Sequence, residues 1–263
     1  MIPKTIHYCW FGGSPFPPLV ERCMASWKKH CPGWEIIEWN ESNYDVTKNE
    51  YMREAHTAKK WGFVPDYARL DIVYSHGGIY LDTDVELLKN LDALLTNKAF
   101  MGLEDKKYVA IGLGFGAVKG HETIKALRDC YDSMRFINDD GSYNMLPSPA
   151  IQTECLRKVG GGHKKAIKSN KIQTIADITI YPAEYFAPKH WIVQKTNITP
   201  NTYSIHHYAA SWHDDNMRAR VEYQSKLSRY VGTHLALLIS AIKYYGWKET
   251  MKKVKKRLCQ INR

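Results

Sequence analysis

The chain has 263 residues, of which 44% are hydrophobic and 24% are charged, and its formal net charge is +10. This composition is near the globular average and includes 8 Trp, 17 Tyr and 7 Phe, which excludes collagen-like, low-complexity and wholly disordered chains. A chain of this length forms one or two domains and buries enough apolar surface to fold without disulfide or metal staples.

The pattern of apolar residues predicts strands that alternate with helices. Strands are predicted over residues 5–10, 34–39, 79–84, 109–118 (interrupted by glycines), 172–181 and within 201–212. Helices are predicted over residues 19–30, 65–76, 122–131 and 150–159. The helix over 65–76 opens with a proline and ends at Gly77 and Gly78, which are strong boundary signals. Such alternation predicts an α/β protein with a largely parallel sheet.

Targeting signals and cysteine spacing bear on the compartment. The N-terminus, MIPKTIHYCWFGG, has no basic region followed by an apolar stretch, so we expect no secretory signal. The longest apolar window, residues 235–242, is less than half of what a spanning helix needs. The 6 cysteines contain no C-x-x-C pair, so we expect reduced thiols rather than a disulfide framework. We therefore expect a cytoplasmic protein.

Two aspartates carry the strongest chemical signal. Asp82 and Asp84 are two residues apart at the end of a predicted strand, so both carboxylates point to the same side. Two like charges this close are disfavoured unless a cation neutralises them, and oxygen ligands favour Mg²⁺ or Mn²⁺. The apolar residues 79–81 place the pair at the carboxyl end of a buried strand, where open α/β sheets bind ligands. We therefore predict a divalent-cation site, with a solvated turn as the alternative.

Asp66 and Arg69 are three residues apart and share one face of the helix predicted over 65–76. They form either a local ion pair or a ligand site. In a ligand site, Asp66 would accept from a sugar hydroxyl and Arg69 would bind phosphate or sugar oxygens.

Three blocks that bracket residues 2–212 resemble a known family: Ile2-Pro-Lys-x-Ile-His-x-x-Trp10, Asp66-x-x-Arg69 followed by Gly77-Gly-Ile-Tyr-Leu-Asp-x-Asp84, and Ser204-Ile-His-His-Tyr-Ala-Ala-Ser-Trp212. The middle block is similar to the sugar-binding DXD region of glycosyltransferase family 32. That family includes mannosyltransferases and bacterial capsule and lipopolysaccharide transferases, and the glucosylating clostridial toxins share a similar core.

The resemblance implies a GT-A fold, which is a Rossmann-like α/β/α sandwich with a mixed, mostly parallel sheet. It also implies a retaining glycosyltransferase that uses Mn²⁺ or Mg²⁺ in surface polysaccharide synthesis. The donor would be a UDP- or GDP-linked sugar, and the acceptor a hydroxyl of a glycan or lipid-linked glycan.

The resemblance also implies roles for particular residues. Trp10 would stack on the nucleotide base, and Asp66 and Arg69 would contact ribose or donor sugar. Asp84 would bind the metal directly. Asp82 would contact ribose or sugar and reach the metal through water.

Later residues complete the implied site. Ser211 and Trp212 would close over the diphosphate. A late histidine would lie near the metal, and strand alternation sends His206 and His207 to opposite faces. Of the two, His207 is the preferred ligand. Relatives often carry an asparagine near the segment that here contains Gly114, so the sugar pocket is expected to be shaped differently.

The positive charge is concentrated at the C-terminus. Residues 243–263 contain 8 basic side chains and one acid, Glu249, so 8 − 1 = +7 of the net charge lies there and the body is nearly neutral. That distribution disfavours nucleic-acid binding. Apolar residues precede this cluster, with Tyr and Trp at the junction. We therefore divide the chain into a catalytic domain, 1–230, and a basic amphipathic helical tail, 231–263, that docks on the anionic inner face of the cell membrane. A packed terminal helix with a solvated basic end is the alternative.

Two other functions fit the same residues. A metal-dependent phosphohydrolase would cleave nucleotide-sugars without an acceptor. A peripheral membrane or polyanion-binding protein would use the tail, and its aspartates would be structural.

Overall fold

The computed structural model describes residues 1–105, 108–161, 167–189, 196–209 and 215–252. Its strands are β1 Thr5–Cys9, β2 Glu35–Trp39, β3 Gly78–Tyr80, β4 Val85–Leu87, β5 Ala99–Gly102, β6 Phe115–Ala117, β7 Gln173–Ile175, β8 Ile178–Tyr181 and β9 Ser204–His206. Its helices are α1 Pro18–His30, α2 Glu50–Thr57, α3 Pro65–His76, α4 Glu122–Asp129, α5 Ser148–Val159, α6 Asp215–Val231 and α7 Thr233–Tyr245.

A seven-stranded sheet organises the first of two compact units, which comprises Met1–Pro188 and Asn197–His207. The strand order is β2-β1-β3-β6-β5-β8-β7. Strands β1, β2, β3, β5 and β8 run in one direction, whereas β6 and β7 are antiparallel to their neighbours. The predicted α/β fold with a mixed, mostly parallel sheet is thus confirmed.

Alternation along the strands divides the core between the two faces of the sheet. Residues such as Cys9, Met101 and Phe115 belong to a large apolar cluster that includes side chains of α2, α3, α4 and α5. The opposite face carries Tyr8 and Phe100, which contact Trp27 of α1 and Phe186, respectively. A two-stranded ribbon of β4 and β9 is held against α1, where Trp27 Nε1 donates to the carbonyl of Val85 at 2.7 Å.

Several predicted elements differ in detail. The single strand predicted over 79–84 is wrong, because β3 ends at Tyr80 and Asp82 begins a turn in which the Val85 amide donates to the Asp82 carbonyl at 3.0 Å. The strand predicted over 172–181 is instead a β7–β8 hairpin. The segment predicted as a strand over 109–118 holds a 3-10 turn, Ile111–Leu113, before β6. Glycines allow this chain to turn where a uniform strand was expected.

One expectation about the cysteines is also wrong. Cys130 and Cys155 are joined as a disulfide that links the end of α4 to α5, with 6.6 Å between their Cα atoms. The spacing of 25 residues gives no local sign of this pair, because the two helices come together only in the fold. Cys9, Cys23 and Cys31 are free and buried.

The second unit contains α6 and α7, which pack on each other. Arg220 donates to the Tyr245 hydroxyl at 2.7 Å, and the Ser240 hydroxyl lies 3.4 Å from the side-chain oxygen of Gln224. Because of these contacts, the boundary predicted between residues 230 and 231 falls inside this helical pair. Among the described residues, no helix combines the length and apolar character needed to cross a bilayer. The basic residues from 253 onward lie outside the described part of the chain.

Candidate metal and sugar-binding site

The Asp82 turn and the ribbon bring three ligand-type side chains together. Strand β4 pairs with β9 so that Val85 is opposite His206, and the His207 amide donates to the Asp84 carbonyl at 3.0 Å. In this register His206 Nε2 lies 3.1 Å from Asp84 Oδ1 and 3.9 Å from Asp82 Oδ2. The two aspartates come from the turn and the histidine from a strand about 120 residues later.

The three side chains have the donor set of a divalent-cation site. One ligand atom from each of Asp82, Asp84 and His206 lies within 4.8 Å of the other two, and all three residues are partly buried. Two carboxylate oxygens and one imidazole nitrogen suit Mn²⁺, and the oxygens also suit Mg²⁺. The residues present therefore fit the metal that the resemblance implies.

Electrostatics explains why these groups favour a cation. Burial raises the pKa of Asp82 above its usual value, although Arg69 opposes this shift. Burial alone would lower the pKa of His206, but Asp84 and its hydrogen bond raise that pKa above the ordinary value. The carboxylates of this site therefore carry more negative charge than the neighbouring cationic side chains neutralise.

The histidine preferred from the sequence is not the one beside the aspartates. His207 Nε2 lies 2.7 Å from Glu86 Oε2, and Arg22 is 3.7 Å from the same oxygen. The two histidines do point in different directions, as alternation requires. The register with β4 decides which of them meets Asp84, and it places His206 there instead of His207.

The buried side chain of Arg69 lies behind the cluster of Asp82, Asp84 and His206. Its guanidinium pairs with Asp66, donates to Asp82 Oδ1 at 3.2 Å and donates to Ser148 Oγ at 2.7 Å. Asp66 and Arg69 are 3% and 4% exposed, so this arrangement holds Asp82 in place from inside the protein. Burial raises the pKa of Asp66 to about 6, while Arg69 opposes the rise.

Two residues that contact Arg69 or Asp82 were missed from the sequence. Ser148 comes from the first turn of α5, 79 residues from Arg69, and no local pattern reveals that contact. Gly112 lies so close that a Cβ atom there would collide with the Asp82 carboxylate and come within 3.3 Å of Arg69 Nη1. The glycine-rich segment drew attention to Gly114, but Gly112 is the residue against the site.

The remaining predicted residues have different positions. Trp10 follows β1 at its carboxyl end, is partly exposed, and packs its ring 4.9 Å from Phe16. Its Nε1 donates to the Ser14 carbonyl at 2.7 Å. Strands β1 and β3 are parallel, so Trp10 lies at the same sheet edge as the Asp82 turn. Ser211 and Trp212 lie outside the described residues.

Comparison with known proteins bears on the same segment. Residues 17–101 match a family described as a glycosyltransferase sugar-binding region containing a DXD motif. These residues are thus similar to that sugar-binding region. The matched segment includes Asp82 and Asp84, which are its DXD aspartates, and the resemblance to these glycosyltransferases is confirmed.

Individual relatives are also glycosyltransferases. An inositol phosphoceramide mannosyltransferase of Schizosaccharomyces pombe is 29% identical over 107 residues, or 38% of this chain. The match covers 33% of that protein, so the chain spans about a third of its length. An uncharacterized glycosyltransferase of Acanthamoeba polyphaga mimivirus is 24% identical over 232 residues, covering 86% of this chain and 90% of the viral protein.

Solved structures with detectable similarity carry related names. The PaToxG glycosyltransferase is 17% identical, with a TM-score of 0.49, over 60% of this chain and 69% of its own. A glycosyltransferase involved in glycosylating the major capsid of PBCV-1 is 12% identical, with a TM-score of 0.44, over 85% and 98%.

Proposed function

We propose that the protein is a metal-dependent retaining glycosyltransferase that transfers a sugar from a nucleotide-diphosphate sugar to a hydroxyl of a glycan acceptor. The observation that carries this proposal is the cluster of Asp82, Asp84 and His206, in which the two aspartates belong to the segment that matches a DXD sugar-binding region. Asp82, Asp84 and His206 would hold Mn²⁺ or Mg²⁺, which supplies positive charge to the donor diphosphate when bound.

The protein's own residues prepare that site. Arg69 and Asp66 fix the Asp82 carboxylate from behind, which limits the reorganisation required when a donor binds. Trp10 offers a partly exposed aromatic face at the same sheet edge, which suits a nucleotide base. Ser211 and Trp212 are proposed to close over the diphosphate.

The reaction is proposed to retain anomeric configuration, as the family resemblance implies. The acceptor oxygen forms a bond to the anomeric carbon on the face from which the diphosphate leaves. The leaving phosphate oxygen takes both the electrons of the broken bond and the proton of the acceptor hydroxyl. This route requires no separate protein base.

A thermal-shift screen tests the donor assignment. A ligand that binds only the native state raises its apparent stability. UDP, GDP and their sugar conjugates are compared with Mn²⁺, with Mg²⁺ and with EDTA. We expect one nucleotide series to raise Tm only with a divalent cation, whereas no metal-dependent shift for any of them would contradict the proposal.

Product analysis separates transfer from the phosphohydrolase alternative. A transferase releases nucleoside diphosphate at a rate that depends on an added glycan acceptor and attaches the sugar to it. A phosphohydrolase would release its products at an unchanged rate without any acceptor.

We further propose that the acceptor is lipid-linked and that the enzyme works on the inner face of the cell membrane. The fungal relative is named for mannosylation of a lipid, inositol phosphoceramide. In α7 and the residues after it, Leu235, Leu238 and Trp247 are exposed, as are Lys243 and Lys248. Exposed apolar and basic side chains on neighbouring helical turns suit an anionic bilayer surface.

Vesicle sedimentation tests the membrane proposal. The full chain is expected to bind vesicles that contain phosphatidylglycerol more tightly than pure phosphatidylcholine vesicles, and high salt should release it. The double variant Lys243→Gln, Lys248→Gln should weaken binding to the anionic vesicles while leaving transfer to a soluble acceptor unchanged. Equal binding to both vesicle types would contradict this proposal.

A further inference from the structure

Glu104 is an acidic side chain near the metal cluster that neither the motifs nor the comparisons single out. It follows β5, which lies within the sheet between β6 and β8. Phe100 and Gly102 point to the sheet face that contacts Phe186, and Met101 and Leu103 point to the opposite, fully buried face. Strand alternation therefore places Glu104 on the same face as Phe100, toward the carboxyl end of the sheet.

The sheet face that carries Phe100 extends toward the cluster of Asp82, Asp84 and His206. Phe186 stacks on Tyr203, and the chain then runs through β9 to His206 at the strand's end. Strands β5 and β9 both pack against the 3-10 turn Ile111–Leu113, whose Gly112 lies against the Asp82 carboxylate, so Glu104 at the end of β5 lies on the side of the sheet that carries the cluster. Glu104 and His206 also interact electrostatically. Glu104 is nevertheless outside the group of ligand atoms formed by Asp82, Asp84 and His206.

The backbone around Glu104 is firmly held. The Leu103 amide donates to the Tyr181 carbonyl at 2.9 Å, and the Glu104 amide donates to the Tyr108 carbonyl at 2.9 Å. The Ala110 amide closes the same excursion by donating to the Gly102 carbonyl at 3.0 Å. A side chain supported in this way has a defined direction, which a ligand-binding group requires.

Glu104 is partly buried, and its carboxylate has no hydrogen-bond or ion-pair partner among the described residues. Withdrawing an ionised carboxylate from water without such partners is costly. A ligand that donates hydrogen bonds would remove that cost. The nearest implied ligand is the sugar of a donor whose diphosphate would bind beside Asp82, Asp84 and His206, and sugars present several hydroxyl donors.

Resting on the function proposed above, we propose that Glu104 accepts a hydrogen bond from a hydroxyl of the transferred sugar and so helps to determine donor specificity. The metal cluster binds the diphosphate and Trp10 the base, so neither distinguishes one hexose from another. A carboxylate acceptor makes a stronger bond to a hydroxyl than a neutral acceptor does. Sites that bind a substrate hydroxyl in this way reject analogues lacking it.

The variant Glu104→Gln tests the proposal because it keeps the shape and removes the charge. With Mn²⁺ present, the bare nucleotide is expected to raise Tm as much as in the wild type, whereas the additional rise caused by the attached sugar is lost. The kcat/KM for the preferred nucleotide-sugar should fall about 10- to 100-fold, with a smaller fall for the deoxy sugar that lacks the contacted hydroxyl. An unchanged kcat/KM would overturn the proposal. Equal weakening of bare nucleotide and nucleotide-sugar would also overturn it, because Glu104 would then act through His206.

Glu35→Gln is the matched control, since it removes the same charge from an exposed position in β2 and should change none of these values. If Glu104→Gln does not fold, Glu104→Asp keeps the charge but shortens the reach, and the same selective loss is expected. A wild-type enzyme that no nucleotide stabilises with Mn²⁺ would remove the proposed function and this inference together. A normal metal-dependent donor response with no selective effect at Glu104 would remove this inference alone.

Discussion

Asp71 is buried and Asp82 is partly buried, and their surroundings compensate the negative charge to different extents. Asp71 receives hydrogen bonds from Tyr44 at 2.8 Å, Lys48 at 3.1 Å and Arg128 at 3.0 Å. Burial would raise the pKa of Asp71, but the bonds from Tyr44 and Lys48 bring that pKa below its usual value. The negative charge of Asp71 is therefore balanced by hydrogen bonds from its own protein neighbours.

Asp82 has less compensation. Among the described residues, Arg69 is the one permanent cation that pairs with it, and Arg69 is shared with Asp66. Burial and the nearby Asp84 both raise the pKa of Asp82. The comparison teaches that a fully bonded acid holds helices together, whereas an acid short of positive charge marks a place for an added cation. The residue type is the same in both, and only the environment distinguishes structure from function.

Asp84→Asn gives the largest effect expected from this comparison. It removes one carboxylate of the proposed metal site, so transfer should fall about 1000-fold or more because charge on the diphosphate is no longer balanced. Stability without ligand should change little, since relief of the repulsion with Asp82 offsets the lost contact with His206. Isothermal titration with Mn²⁺ and a transfer assay check the two halves of this expectation.

Asp71→Asn is the matched control for that measurement. It removes a carboxylate that three donors satisfy, so unfolding in urea should require about 2 kcal/mol less free energy. Transfer by the folded variant should remain near the wild-type rate. If instead Asp71→Asn abolished transfer, or Asp84→Asn preserved it, the distinction between the two kinds of acid would be wrong.

His7 provides a pH test of the fully bonded class. Burial lowers the pKa of His7 to about 4, although its bond to the Gly77 carbonyl opposes this. Its Nε2 lies 2.8 Å from that carbonyl, and the Trp39 indole donates to its Nδ1 at 3.1 Å. The imidazole is therefore neutral in the folded protein, and it would have to lose its bond from Trp39 to become protonated at Nδ1.

The sign of the pH effect follows from linkage. The unfolded chain takes up a proton near pH 6.5, and the folded chain does so only near pH 4. The contribution of neutral His7 to the free energy of unfolding is thus complete above pH 6.5 and is lost as the pH falls to 4. The total loss is about 3 kcal/mol. Urea titrations from pH 7 to 4 should show this decline for the wild type and a smaller one for His7→Gln. Parallel curves for the two proteins would contradict the assignment.

The two late histidines sharpen the comparison at the site itself. His206→Asn should lower transfer about 100-fold and weaken Mn²⁺ binding, because the imidazole beside Asp84 is lost. His207→Asn should lower transfer less than about 3-fold, since His207 bonds to Glu86, at the rim of the ribbon. Manganese affinity of both variants, measured side by side, decides between them. A larger loss for His207→Asn would restore the ligand that the sequence alone favoured.

What could be predicted from the sequence depended on how local each signal was. The helix Pro65–His76 was predicted closely because proline and glycine mark its two ends within the chain. The acidic pair was found because its spacing is local as well. Strand β5, with the sequence AFMG, was missed because four uniformly buried residues show no alternation.

The features that the sequence did not reveal depend on contacts between distant segments. The choice of His206 over His207 is set by pairing of β9 with β4, and Arg69 meets Ser148 across 79 residues. The Cys130–Cys155 disulfide likewise needs α4 and α5 to be packed side by side. None of these can be read from spacing, because each requires the register or packing of elements far apart in the chain.

Gly112→Ala is expected to have a smaller effect than the loss of Asp84 or His206, and it probes the space beside the Asp82 carboxylate. The backbone of Gly112 accepts from the Asp82 amide at 3.3 Å, and an added methyl group would overlap the Asp82 carboxylate. The methyl group should push Asp82 away from Arg69 and weaken Mn²⁺ binding about 10-fold, with a smaller loss of stability because Asp82 is partly solvent-exposed. Titration of Mn²⁺ monitored by Tm measures both quantities in one experiment. If the metal affinity of Gly112→Ala equalled that of the wild type, metal binding would not require Asp82 in its present position. Asp84, rather than Asp82, would then be the aspartate on which metal binding depends.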